Sequence, residues 1–151
     1  MTAELDYKEL VDFKSKLLEV AKVKFPRETK NFMGRAGNKL RAKVKNAYKT
    51  QVGKKTGNLL KGVSRGRAYI YQNDKYQIRV KNKAPHAHLI EHGHVMKDKD
   101  GNVIKNKDTK KEIFVPGRDI VGPVYKDFDP EFVEMADKYV DDLLDGGKAL
   151  F

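Results

Sequence analysis

Across Lys54-Lys55-Thr56-Gly57 the spacing of apolar side chains changes period, and this change sets the class of fold. From about Asn31 to Gln51, Met33, Ala36, Leu40, Val44, Ala47 and Tyr48 recur at helical intervals, the spacing that lines one face of an α-helix. After Gly57 the interval drops to two. Val63 to Gln72 and Tyr76 to Lys81 alternate, with Ile70 apart from Tyr69 and Tyr71 and with Tyr76, Ile78 and Val80 on one face. That is the pattern of half-buried strands, and Asn73-Asp74 between them reads as a hairpin turn. An earlier helix is expected from about Asp6 to Phe25, on Leu10, Leu17 and Ala21 with Phe13, Leu18 and Phe25 beside them; Pro26 should end or kink it. Val95–Lys97 and Val103–Lys105 read as a further strand pair around Asp98-Lys99-Asp100-Gly101-Asn102, and Glu112 to Val115 as a last short strand. At the C-terminal end Asp129 suits an N-cap, Pro130 the first helical position and Glu131 the first turn. Phe132, Met135, Ala136, Tyr139 and Leu143 follow on one face, and Gly146-Gly147 should close the helix. The order predicts an α+β fold: two N-terminal helices, a small mainly antiparallel sheet with a long hairpin loop, and a C-terminal helix. With 151 residues, residues 1–151 are expected to form a single domain.

Charge is segregated along this order. Residues 31–81 hold fourteen Lys/Arg against one Asp/Glu, whereas residues 119–151 hold three against nine; the whole chain is +11. Arg35, Lys39, Arg41, Lys43, Lys45 and Lys49 occupy the circumference of the second helix left by its apolar stripe. They are the candidate subunit-interface or DNA-facing basic residues. Glu134, Asp141 and Asp142 of the last helix are the candidate acidic interface, since the acidic end of one copy can meet the basic part of the next in a head-to-tail ring. Nine of the seventeen residues in Val95–Lys111 are charged. This stretch is expected to be mobile in the free subunit and ordered only on assembly.

The chain has no cysteine, which excludes disulfides, thiolate metal sites and cysteine nucleophiles. No run approaches the ~20 apolar residues that span a bilayer. The N-terminal residues have neither a basic nor an apolar region of the kind a secretory signal needs. All four histidines fall in one window, which includes His88-Leu89-Ile90-Glu91-His92. On a helix that string presents two imidazoles to one zinc with the glutamate as base. A small zinc hydrolase using His88, Glu91 and His92 is therefore one alternative. Pro85 and Gly93 leave room for only a short helix, no third ligand is evident, and surface histidines without a ligand role are the simpler reading. Asp98–Asn102 has its glycine too early for a calcium loop and suits a turn. No catalytic residues, metal ligands or cofactor are expected.

Three segments in order resemble a known family: Thr56-Gly57-Asn58-Leu59-Leu60; Ala84-Pro85-His86-Ala87-His88-Leu89-Ile90-Glu91-His92-Gly93; and Val115-Pro116-Gly117-Arg118 with Pro123. They are similar to the T-G-x-L, A-P-(aromatic or His)-A-x-x-x-E-x-G and P-G-R elements of the bacteriophage tail-completion or head–tail joining (minor tail component) family, over about residues 31–144. His92 departs from the aromatic residue usual at its position. The resemblance implies structural roles for Thr56, Gly57, Leu59, Pro85, Ala87, Glu91, Gly93, Pro116, Gly117, Arg118 and Pro123. It implies a non-enzymatic virion protein of the neck, assembled in the host bacterial cytoplasm as a ring, six copies by resemblance. Its implied partners are itself, the tail-tube or tail-terminator protein and a head-closure or connector protein, with transient contact to phage DNA and none to membrane. A basic, non-specific nucleic-acid-binding protein is the alternative.

Overall fold

The computed structural model describes residues 7–52, 57–72 and 75–148. Lys54, Lys55, Thr56 and the Asn73-Asp74 turn lie outside the described residues, as do the side chains of Leu10 and Phe13. Helix α1 (Tyr7–Glu19) passes through a π-helical turn (Val20–Lys24) straight into α2 (Phe25–Val52). Pro26 therefore does not end the helix, and what stands beside it is a π-helical irregularity within one continuous helical run. A proline within a helix cannot donate to the carbonyl four residues back and crowds it. The wider turn just before it, in which the Phe25 N–H donates to the Val20 carbonyl, relieves that conflict. Helix α2 begins at Phe25 rather than Asn31 and buries Thr29, Phe32, Met33, Ala36, Gly37, Leu40, Val44 and Tyr48.

Four short strands stand where two long ones are expected. β1 (Val63–Arg65) pairs antiparallel with β4 (Val80–Asn82), and β2 (Tyr69–Tyr71) with β3 (Lys75–Gln77). The register is Val63↔Asn82 to Arg65↔Val80 on one side and Tyr69↔Gln77 to Tyr71↔Lys75 on the other. Residues 66–68 thus face only residues 78–79, and this one-residue excess is a bulge that interrupts the ladder. Tyr76, Ile78 and Val80 still turn toward α2. The Tyr76 ring meets Phe25 edge-on at 6.4 Å, and Val80 is buried.

After β4, helix α3 (Asn58–Gly62), which precedes β1, is linked to a short helix α4 (Ala87–His92) through Asn82. The Asn82 Nδ2 donates to the Leu59 carbonyl (3.0 Å) and its Oδ1 accepts the Ala84 N–H (3.0 Å). β5 (Gly93–Val95) then pairs with β6 (Phe114–Pro116). The expected Val95–Lys97/Val103–Lys105 pair is reduced to the single bridge Lys97↔Val103, with a second bridge at Lys105↔Glu112. The described strands form three separate antiparallel pairs instead of one sheet.

The last helix, α5 (Val121–Lys148), begins well before Asp129. Pro130 lies inside it, and Gly146-Gly147 do not stop it. Pro130 and Lys126, the residue whose carbonyl it leaves without a donor, are both exposed, so water can serve that carbonyl. Helix α5 packs on α2. Ala36, Leu40, Val44 and Tyr48 from α2 share one core with Val63, Val80, Ile120 and Phe128. At the other end of the contact Phe32 stacks on Tyr139, with centroids 4.7 Å apart and planes at 13°. The Tyr139 hydroxyl lies 2.8 Å from that of Thr29. Thr29 donates to the Phe25 carbonyl (2.7 Å), which leaves Tyr139 as the donor to Thr29.

Candidate functional site

Four residues singled out from the sequence, Glu91, Gly93, Gly117 and Arg118, meet where α2 ends, α4 sits and α5 begins. α5 starts with backbone N–H groups that no helical carbonyl can accept. The Glu91 carboxylate, on α4, accepts two of these donors, Ile120 N–H at 3.0 Å and Val121 N–H at 3.2 Å. It also accepts the hydroxyl of Tyr48 from α2. A carboxylate suits that position, because the N-terminus of a helix carries positive partial charge. Burial raises the Tyr48 phenol above its ordinary value, and the hydrogen bond and negative charge of Glu91 add to the rise.

Arg118 does the complementary work at the other helix. Its guanidinium donates to the carbonyl of Gln51 in the last turn of α2, where a cation meets negative partial charge. Its own backbone N–H donates to the Ile90 carbonyl (2.8 Å), and the next N–H, of Asp119, donates to the Glu91 carbonyl (3.2 Å). The segments around Gly93 and Gly117 cross so closely here that side chains are excluded. A Cβ on Gly117 would collide with the Glu91 carbonyl; one on Gly93, at φ +82°, would collide with the Val115 carbonyl and come within 2.7 Å of the Gly117 nitrogen. Ala87 is buried, and Leu59 packs against the core. Pro123 stands in the first turn of α5 and Pro116 ends β6, while Gly57, at φ 76°, precedes α3 and Pro85 precedes α4. Val52, Leu59, Leu60, Pro85, Ile90 and Arg118 line a cleft of about 610 Å³ beside the junction.

Glu91 is thus committed to three donors. His88 and His92 are exposed on α4, as is His86 before it. Among the described residues no three His, Asp or Glu side chains come together in a way that could hold a metal ion. The reading of all four histidines as surface side chains fails at His94, whose Nδ1 is buried without a hydrogen-bond partner among the described residues. The α5 start was also missed, because its cap comes from a residue far away in the chain.

The basic residues of α2 do not form one free face. Lys39 and Lys43 both pair with Glu131 of α5, Lys43 at 2.6 Å. These two ammonium groups hold the Glu131 carboxyl below its ordinary value. Arg41 Nε donates to the Val63 carbonyl at 3.2 Å. Arg35, Lys45 and Lys49 are exposed on the outer side of α2, and Arg65, Arg67, Lys75, Arg79 and Lys81 are exposed along the hairpin. Glu134, Asp141 and Asp142 are exposed on α5.

A family model described as "Bacteriophage HK97-gp10, putative tail-component" matches residues 11–93, more than half of the chain. The chain belongs to this HK97-gp10-like family. No curated protein and no solved structure matches it. The segment matched to the HK97-gp10-like family runs from α1 to the first residue of β5. It includes Tyr48 and Glu91, whereas the α5 start that Glu91 caps lies beyond it. Among the described residues no helix is long and apolar enough to cross a membrane.

Proposed function

We propose that this member of the HK97-gp10-like family is a structural part of the phage virion and not an enzyme. In this reading it is a tail-completion adaptor that assembles as a ring, six copies by its resemblance, and joins the tail tube or its terminator to the head-closure proteins of the neck. It works without a cofactor, is built in the host cytoplasm and ends in the virion. The observation that carries the reading is the opposite charge on the outer faces of α2 and α5, packed together in a member of a phage tail-component family. A closed ring needs two different patches on one subunit, and the Glu91–Arg118 junction fixes these two relative to each other. DNA leaving the head passes the neck, so strong attraction to phosphates would oppose the task; contact with it is weak and transient.

Deletion of the gene in the phage tests this. The expected result is filled heads and finished tails that stay unjoined by electron microscopy, with joining restored by the purified protein. Normal virions from the deletion would overturn it. The exposed lysines and arginines of α2 and the hairpin favour a second reading, a non-specific nucleic-acid-binding protein. That reading requires tight duplex binding that falls steeply with salt.

A further inference from the structure

Between residues 11 and 24 no described side chain is buried, although Val11, Leu17, Leu18 and Val23 are all large and apolar. At Phe25 the long helix meets the hairpin, edge-on against Tyr76. The helix ahead of it is an arm with an apolar stripe and no cover among the described residues. Val11 and Leu18 stand two turns apart on one face, about 10 Å along the axis. Lys14 and Lys22 lie on that same face at helical spacing.

A matching stripe runs along the outside of α5. Val133 and Val140, 56% and 48% exposed, are again seven residues apart. Asp137 and Asp141 stand on the same side and are exposed. The two stripes agree in apolar spacing and are opposite in charge. Within one subunit α5 turns its other side to α2, through Phe128, Phe132 and Tyr139.

We propose that the N-terminal arm of one copy lies along the outer face of α5 of the next, its Val11 and Leu18 against Val133 and Val140 and its lysines against the aspartates. The occupant is a second copy of this chain because the complementary surface is on the chain itself. The contact is heterologous, as a ring requires, and the inference rests on the ring reading above. It takes the place of Lys39 and Lys43 opposite α5, since those two already serve Glu131 within the subunit.

The absence of native cysteine makes disulfide trapping selective. Full-length Leu18→Cys chains are mixed with tagged Val133→Cys chains, and in parallel with tagged Val140→Cys chains. Assembled fractions are oxidised, and the mixed dimer is read by mass on a non-reducing gel. A disulfide forms only where the Cα atoms come within about 7 Å. The expected result is a strong mixed dimer in one pairing and a trace in the other, which gives the direction of the arm. A Lys49→Cys control should give only a trace with either. Assembled rings without a mixed dimer in either pairing would overturn the inference and leave the ring standing. Chains that never assemble would overturn the ring reading itself. A second measurement uses charge: Asp137→Lys with Asp141→Lys should weaken assembly roughly tenfold, the effect of a few exposed pairs together. Lys14→Glu with Lys22→Glu in the same chain should restore it; no restoration would count against the pairing.

Discussion

The Glu91 junction and the excursion over residues 96–113 are both held by hydrogen bonds to backbone groups, yet they differ in what replaces a broken bond. At the junction, one carboxylate meets a tyrosine hydroxyl and two N–H groups at a helix start, beside the buried side chains of Tyr48 and Ile120. In the excursion, Asp98 Oδ1 accepts the N–H groups of Asp100 (2.9 Å) and Asn102 (2.8 Å), and Asn106 Oδ1 accepts that of Asp108 (2.8 Å). Three strand-like segments also bond in a cycle: Met96 N–H to Ile113 carbonyl, Ile113 N–H to Ile104 carbonyl, Ile104 N–H to Met96 carbonyl. Almost every residue there is exposed, so water takes over any bond that opens. A hydrogen bond contributes little when water can replace it and costs much to remove when it cannot. The excursion has a definite frame with little burial behind it, so its bonds open at little cost in the free subunit.

The largest effect should come from Glu91→Ala. It leaves two N–H groups and a hydroxyl without their acceptor, at ~1–3 kcal/mol each where water is excluded. Partial access of water lowers the sum to about 3 kcal/mol, read as a shift of the urea midpoint. Glu91→Gln keeps one acceptor and should cost about half as much, and Tyr48→Phe about 1 kcal/mol. Equal losses for Glu91→Ala and Tyr48→Phe would mean that the α5 cap contributes nothing. Tyr48 also gives the junction an alkaline limit. A group whose folded value is raised contributes stability that is full below its unfolded value of 10 and lost as the pH rises through the folded one. Tyr48→Phe should remove that loss.

Gly117→Ala comes next, at about 2 kcal/mol, because the new methyl meets the Glu91 backbone and not a side chain that can turn away. Ala at Gly101, where φ is +87° but nothing lies within reach, should cost about 1 kcal/mol from backbone strain alone. If the Gly101 variant proved the weaker of the two, crowding at the junction would not be what distinguishes the regions. Replacing residues 98–111 by a short turn should move the thermal midpoint least of these, since loop length changes closure entropy slowly.

These contrasts follow what could be read from the chain. The α2 stripe was legible because it repeats at one period over about four turns and because packing agrees with it at every position. The change to strands was legible too, but the bulge was not read, although Gly66 inside the strand pattern is a local hint of it. Asp129-Pro130 looked like a helix start and lies mid-helix, because the true start is stabilised by Glu91, a partner that no window of neighbouring residues contains. Glu91 itself was visible only inside a zinc-like string and a family-like one; its acceptor role needed the fold. Lys39 and Lys43 were legible as basic, while their use inside the subunit depended on where α5 lies.

The smallest effects separate the two regions by pH. Glu131, between α2 and α5, is held below its ordinary value first by hydrogen bonds from Lys39 and Lys43. Asp98, in the excursion, is held below its own by bonds led by that from the Asn102 backbone. A depressed carboxylate contributes stability that is full above its unfolded value, 4.5 for Glu131 and 3.8 for Asp98, and lost as the pH falls through the folded one. Both therefore weaken the fold on the acid side only. Salt should tell them apart. The lysine pairs are exposed and their attraction is screened at ionic strengths where the Debye length shrinks below ~10 Å. The Asp98 bonds are short contacts to neutral N–H groups within one turn and should persist. Glu131→Gln should thus flatten the acid limb of the stability curve at low salt and change little at 1 M. Asp98→Asn should leave the global midpoint nearly unmoved at either salt, yet speed amide exchange at Asp100 and Asn102. A global loss from Asp98→Asn as large as that from Glu131→Gln would show that the excursion unfolds with the core, and the division between a water-exchangeable frame and a buried junction would fall.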